Sequence, residues 1–156
     1  RTGIRIVYPE IAFIRENYQF RIMIEVFALR SFGETVTEEW LANMRESHEV
    51  CRRDLTNGTA LDEAQGRFVA LDARFHREIV EELGNRAILA MHERVQENIR
   101  MAQKVHRRPG FRSALLTTIE EHLRVIERLE HRDVEGAVKA LEAHFSGSTH
   151  RTFTAG

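Results

Sequence analysis

Asp72 and His76 lie four residues apart in the stretch Leu71-Asp-Ala-Arg-Phe-His-Arg-Glu-Ile79. On a helix that spacing puts both side chains on one face. The face continues as Val69, Asp72, His76, Ile79/Val80 and Leu83, so apolar residues bracket the carboxylate and the imidazole. Turned inward, this stripe buries two polar groups, each costing on the order of several kcal/mol if unpaired. They need internal partners. His122 holds the centre of the stripe Leu115, Ile119, His122, Ile126, Leu129, and His144 falls in phase with Val134, Ala137/Val138, Leu141, Phe145 and Ser148. One buried histidine in a bundle is usually a core residue with a hydrogen bond. Three on separate helices, with an aspartate one turn from one of them, form the donor set that first-row divalent metals accept. The set read from spacing is Asp72, His76, His122 and His144. His92 shares a helix with Ile88, Val95, Ile99 and Ala102, but two inward phases are open there, and it is left as a packing residue. His48, His106, His131 and His150 fall at ends, loops or polar phases and are expected on the surface.

The elements that must position these groups are helices. The chain has only two prolines, and strand-like stretches occur only near its start, which predicts an all-α fold. Ile4 to Val7 reads as the extended tail of a linker, and Pro9 suits a first helical turn. A first helix runs from Glu10 to about Phe32, with the line Ile14, Tyr18, Arg21, Glu25, Ala28, Phe32. Arg21 and Glu25 lie four apart inside it, either as a partly buried ion pair or with Arg21 turned into a cavity to meet an anion. Gly33 to Val36 is read as a break. Thr37 caps a second helix from Glu38 to about Leu55, whose inner side is Trp40, Leu41, Met44 and Val50/Cys51. Cys51 has no ligand at metal spacing and is read as packing. Thr56 to Thr59 is a loop. The third helix spans about Leu61 to Leu83, ended by Gly84, and Asn85 caps the fourth. His106 to Gly110 is a loop, the fifth helix spans about Ser113 to His131, and Asp133 caps a sixth. The tail from Thr149 onward reads as frayed.

The bulk composition excludes several classes. The 156 residues, 42% hydrophobic and 30% charged with a formal net charge of −1, suit one soluble domain with a real core. A nucleic-acid surface would normally be basic. The single cysteine excludes an internal disulfide framework and fits a reducing, cytoplasmic setting. No apolar run approaches a membrane span.

At this level the sequence resembles the FadR C-terminal domain (FCD) family, the effector-binding domain of many GntR-type bacterial transcription regulators. The resemblance rests on Asp72-Ala-Arg-Phe-His76 with Gly84-Asn85, on Glu121-His122 followed by Asp133, and on Ala143-His144-Phe145. Arg21 and Glu25 match the Arg-x-x-x-Glu of the family's first helix. Glu130-His131-Arg132 departs from it, where members often carry smaller residues. The resemblance implies an antiparallel bundle of about six helices with one divalent metal in its core, zinc, nickel or manganese, held by the aspartate and three histidines. It also implies a carboxylate-containing effector beside the metal, a homodimer, and operator DNA bound through an N-terminal winged helix-turn-helix. Residues 1–8 would then be a linker remnant of that missing domain, 9–150 the ligand-binding domain, and 151–156 a frayed tail.

Charge supports an effector role. One carboxylate and three neutral imidazoles leave a divalent ion with a net charge of about plus one. An organic acid could take open positions on an octahedral ion, with Arg21 as a second contact. Two alternatives share the donor set: a mononuclear metalloenzyme in a helical bundle, and a purely structural metal. The enzyme lacks an obvious general base, because Glu25 is the only in-phase carboxylate and Arg21 competes for it. No second Glu-x-x-His pair points to a di-iron bundle.

Overall fold

The computed structural model describes residues 10–57, 60–105 and 111–153. The described residues form six helices: α1 (Ile11–Thr35), α2 (Glu38–Thr56), α3 (Leu61–Glu81), α4 (Arg86–Val105), α5 (Phe111–Glu130) and α6 (Val134–Phe153). Together they form an antiparallel all-α bundle. The expectations for residues 1–9, for the loop containing His106, and for residues 154–156 lie outside the described residues.

Local chemistry sets the helix ends. Thr37 accepts a hydrogen bond from the Trp40 N–H, Asn85 from the N–H groups of Ala87 and Ile88, and Asp133 from that of Gly136. Gly84 follows α3 with φ +62°, a left-handed conformation that costs glycine little. α5 ends differently. The Asp133 N–H reaches the Arg128 carbonyl, and the Arg132 N–H reaches that of Leu129. This paired closure puts Arg132 at φ 58°, a place usually given to glycine. Its guanidinium is tied back to the Val36 carbonyl at 2.9 Å and to Glu38.

Two boundaries differ from the sequence reading. α1 does not break at Gly33 but runs on to Thr35. A Cβ at Gly33 would lie 3.0 Å from both methyl groups of Val134, so this glycine admits the start of α6 rather than ending a helix. α6 continues past Thr149 to Phe153. Its last turns are held by Tyr18, whose hydroxyl lies 3.1 Å from Ser148 Oγ and 3.0 Å from Thr152 Oγ1, and by Arg151 on Glu121.

Each helix packs on two neighbours in the cyclic order α1, α6, α5, α2, α3, α4, and α3 also touches α1 and α5. α3 therefore reaches across the interior. Its buried face is Ala64, Phe68, Leu71, Phe75, His76, Ile79 and Val80. That face is rotated from the predicted stripe, so Val69 and Asp72 lie at its half-buried edge. The lines expected on α1 and α5 are buried throughout.

Candidate functional site

Every helix contributes a polar side chain to the middle of the bundle. His76 of α3, His122 of α5 and His144 of α6 are buried, and one ring nitrogen from each lies within 4.8 Å of the others. Asp72 sits at the rim with 20% of its side chain exposed. Its Oδ1 is 3.8 Å from His76 Nε2 and 3.7 Å from His122 Nε2. The four residues singled out by spacing are thus brought together.

Behind each histidine stands an acceptor for its Nδ1. His76 Nδ1 is 2.5 Å from Glu25 Oε2. His144 Nδ1 is 2.8 Å from Glu121 Oε2, and Arg151 holds Glu121 with both terminal nitrogens at 2.8 and 2.7 Å. His122 Nδ1 is 3.1 Å from His48 Nε2. A carboxylate can only accept, so His76 and His144 each carry a proton on Nδ1, which leaves Nε2 as the lone-pair nitrogen of a neutral ring; His76 Nε2 faces Asp72.

Burial explains why His76 and His122 stay neutral. It pushes His76 down to about 4, with the nearby Arg21 charge acting the same way and Glu25 opposing it. His122 is driven well below its ordinary value by burial first, then by His144, His76 and His48 around it. Burial raises the proton affinity of Glu25, but His76 and Arg21 overcome that and hold its carboxyl well below the usual range. For Glu121, burial is likewise overcome by hydrogen bonds from His144 and Arg151, leaving the carboxyl at about 2.

Arg21 forms the ion pair that its position allowed. Its Nε donates to Glu25 Oε1 at 2.7 Å in a fully interior ion pair. Its guanidinium carbon lies 5.2 Å over the Phe145 ring, which borders His76 and His144. Its Nη2 is buried with no partner among the described residues. Gln96 Nε2 and His92 Nδ1, on α4, share that condition.

Two residues were missed. His48, expected on the surface, is fully buried. It lies on the α2 line Leu41, Met44, His48, Cys51, Leu55, whose three-four alternation was present in the sequence. Leaving the inner side open between Val50 and Cys51 obscured it; Val50 is 39% exposed and Cys51 is buried. His92 is also fully interior, and beyond packing it donates from Nε2 to Glu25 Oε1 at 2.7 Å. His131 and His150 are exposed, as expected, and Cys51 is a buried packing residue.

The chemistry this arrangement offers is ligation. His76 Nε2 and His122 Nε2 are buried and unpartnered among the described residues, although each ring's Nδ1 is satisfied. Buried polar atoms normally find partners. Neutral nitrogens with lone pairs fit a cation, and bonds of about 2.1 Å in a tetrahedral arrangement set donors roughly 3.4 Å apart, so the outermost donors would draw together by roughly an ångström or more. Glu25 is no free base, since Arg21, His76 and His92 occupy its two oxygens.

A family model for the FCD domain matches residues 16–147. The chain belongs to the FCD family. FCD domains are the effector-binding domains of GntR-type transcription regulators. Among curated relatives, the HTH-type transcriptional regulator YdhC of Bacillus subtilis is 25% identical over 146 residues, covering 94% of this chain and 62% of the relative. The HTH-type transcriptional repressor NanR of Cronobacter sakazakii is 26% identical over 133 residues, covering 82% and 46%. The chain thus spans between 46% and 62% of these relatives' length. The metal-free FCD domain of TM0439 superposes with a TM-score of 0.75 at 26% identity, covering 94% of this chain and 96% of that one. The zinc-bound form of the same domain gives 0.64 at 24% identity, covering 93% and 94%, and shares the fold. FCD proteins of this group are transcriptional regulators, not enzymes. No helix among the described residues is long and apolar enough to cross a membrane.

Proposed function

We propose that this FCD domain senses a small organic acid through one divalent ion held by Asp72, His76, His122 and His144, as part of a longer DNA-binding regulator. The observation that carries the reading is the pair of buried, unpartnered nitrogens, His76 Nε2 and His122 Nε2, facing the Asp72 carboxylate. The surrounding charges favour an anion. Glu25 is balanced by Arg21 and Glu121 by Arg151. Asp72 alone offsets the ion, so about one positive charge is left for an incoming carboxylate to neutralise. Arg21 Nη2 and Gln96 Nε2 are buried donors without acceptors among the described residues, which supports further oxygens on the effector. The zinc-bound TM0439 domain makes zinc a reasonable choice, with nickel and manganese compatible with the same donors.

An effector joined to this site touches α3, α5 and α6 at once, and through Arg21 also α1. It changes DNA binding only by favouring one arrangement of the two subunits of a dimer over another. A dimer is supported by the outer faces of α1 and α4, two helices that are neighbours in the bundle. Phe13, Met23 and Phe27 of α1 and Met91 and Met101 of α4 are all exposed by 44% or more. Apolar groups so clustered suit a second copy of the chain. In the longer protein, an N-terminal winged helix-turn-helix would carry the operator contacts.

Elemental analysis with native mass spectrometry of the purified chain tests this reading. One divalent ion per chain is expected, with His122→Ala losing it and melting earlier. Full metal content in His122→Ala would refute the ligand set. Metal affinity unaffected by any organic acid would favour a structural ion.

A further inference from the structure

His48 belongs to none of the motifs that carry the family resemblance, yet it is fully buried one bond away from the ligand set. Its Nδ1 lies 2.7 Å from the Met44 carbonyl oxygen. A carbonyl only accepts, so Nδ1 bears the proton, and a neutral imidazole has no second one. His48 Nε2 is therefore a lone pair, aimed at His122 Nδ1 at 3.1 Å. The opposite assignment would set two lone pairs against each other across 2.7 Å. Phe75 holds both rings in place. It stacks on His122 with centroids 4.3 Å apart and meets His48 edge-on at 5.5 Å.

We infer that His48 is a positioning residue that fixes the tautomer of His122, with the Met44 carbonyl, His48 and His122 forming a relay that frees His122 Nε2 for the ion. The inference rests on the metal reading proposed above. His76 and His144 obtain the same tautomer from carboxylates, each with an arginine attached. At His122 the acceptor is uncharged. A third interior carboxylate would either need its own cation or cancel the positive charge left for an acidic effector. A neutral imidazole orients the ligand without that effect. Removing it leaves the His122 proton free to move to Nε2, where it blocks ligation.

Long-range proton–nitrogen correlation spectra of the metal-free chain identify the protonated nitrogen of each ring. In the unsubstituted chain, His48 and His122 are both expected to be protonated on Nδ1. In His48→Leu, the His122 proton shifts wholly or partly to Nε2, and zinc affinity measured by chelator competition falls about 10- to 100-fold. His48→Gln supplies an amide oxygen at the same reach, so the Nδ1 proton and the zinc affinity return toward the unsubstituted values. A His122 proton found on Nε2 in the unsubstituted, metal-free chain overturns the inference. So does unchanged zinc affinity in His48→Leu, and both results leave the proposed function standing if the unsubstituted chain binds zinc. Failure of the unsubstituted chain to bind zinc or any other divalent ion overturns both. If the leucine variant does not fold, the unsubstituted spectrum and His48→Gln decide.

Discussion

Glu25 Oε2 lies 2.5 Å from His76 Nδ1, joining residues 51 positions apart in the interior of the bundle. The same carboxylate takes Arg21 and His92 on its other oxygen. One acid thus orients a candidate ligand, balances an interior arginine and ties α1 to α3 and α4. Glu25→Gln keeps the shape and removes the charge. Arg21 is then a buried cation without a counter-ion, and a loss of about 3–5 kcal/mol is expected. Urea denaturation of the metal-free variant measures it, and a loss below about 1 kcal/mol would mean the pair is hydrated in solution.

Acid should destabilise the metal-free domain in two steps. His76 at about 4, with His122 and His48 also lowered, refuses protons that the unfolded chain accepts near 6.5. The unfolded state then binds more protons, so stability falls as pH drops from 6.5 toward 4. Glu121, held at about 2, adds a loss that begins below its ordinary 4.5. Melting temperatures in chelator should be level above pH 7 and decline below 6.5. A level profile down to pH 4 would contradict neutral interior imidazoles. For the same reason, protons compete for His76 at lower pH than for an exposed histidine.

Much of this was legible in the sequence, and the misses share a cause. The lines on α1, α5 and α6 were readable because their apolar residues lie on one arc and the polar members break it visibly. On α2 the phase is legible only in part: Leu41, Met44 and Cys51 are buried as expected, but Val50 and Cys51 offer adjacent phases and only one turns inward. His48 is assigned to the surface while that phase stands open. On α4, Met91 and His92 pose the same problem: the methionine is exposed and the histidine buried. Partners such as Glu25 with His76, or Glu121 with His144, depend on which helices are neighbours, and periodicity carries nothing about that.

Gly84 offers a simple test of backbone chemistry. Its φ is +62°, and nothing lies within 4 Å of where a Cβ would stand. Gly84→Ala therefore meets no clash, only the left-handed penalty of roughly 1–2 kcal/mol. Gly84→Asn should recover part of it, because asparagine tolerates that region better. Equal thermal stability for alanine and glycine would show that the α3–α4 turn relaxes.

The outer stripe of α1 should govern association. Phe13, Phe20, Met23 and Phe27 follow a spacing of seven, three and four, and Met23 and Phe27 are 63% and 64% exposed. Phe27→Asp places a charge in that stripe without touching the interior. Light scattering should show a dimer for the unsubstituted chain and a monomer for the variant, with helical content unchanged. A dimer that survives Phe27→Asp would move the interface elsewhere.

Gly147 separates stability from ligand geometry. It lies one turn before Arg151 on α6, where a Cβ would come 2.8 Å from Glu121 Oε1 and 2.9 Å from Arg151 Nη1. Both atoms end flexible side chains, so they can move aside at small cost. Alanine in a helix interior also gains roughly 0.5–1 kcal/mol over glycine. Gly147→Ala should thus keep or slightly raise the melting temperature of the metal-free domain. Yet it displaces the Glu121–Arg151 pair that holds His144 Nδ1. Loss of such an outer partner typically weakens metal binding about 10- to 100-fold. Zinc affinity by chelator competition should fall while stability does not. A joint fall in both would mean that the alanine disturbs the packing of α6 rather than the orientation of His144.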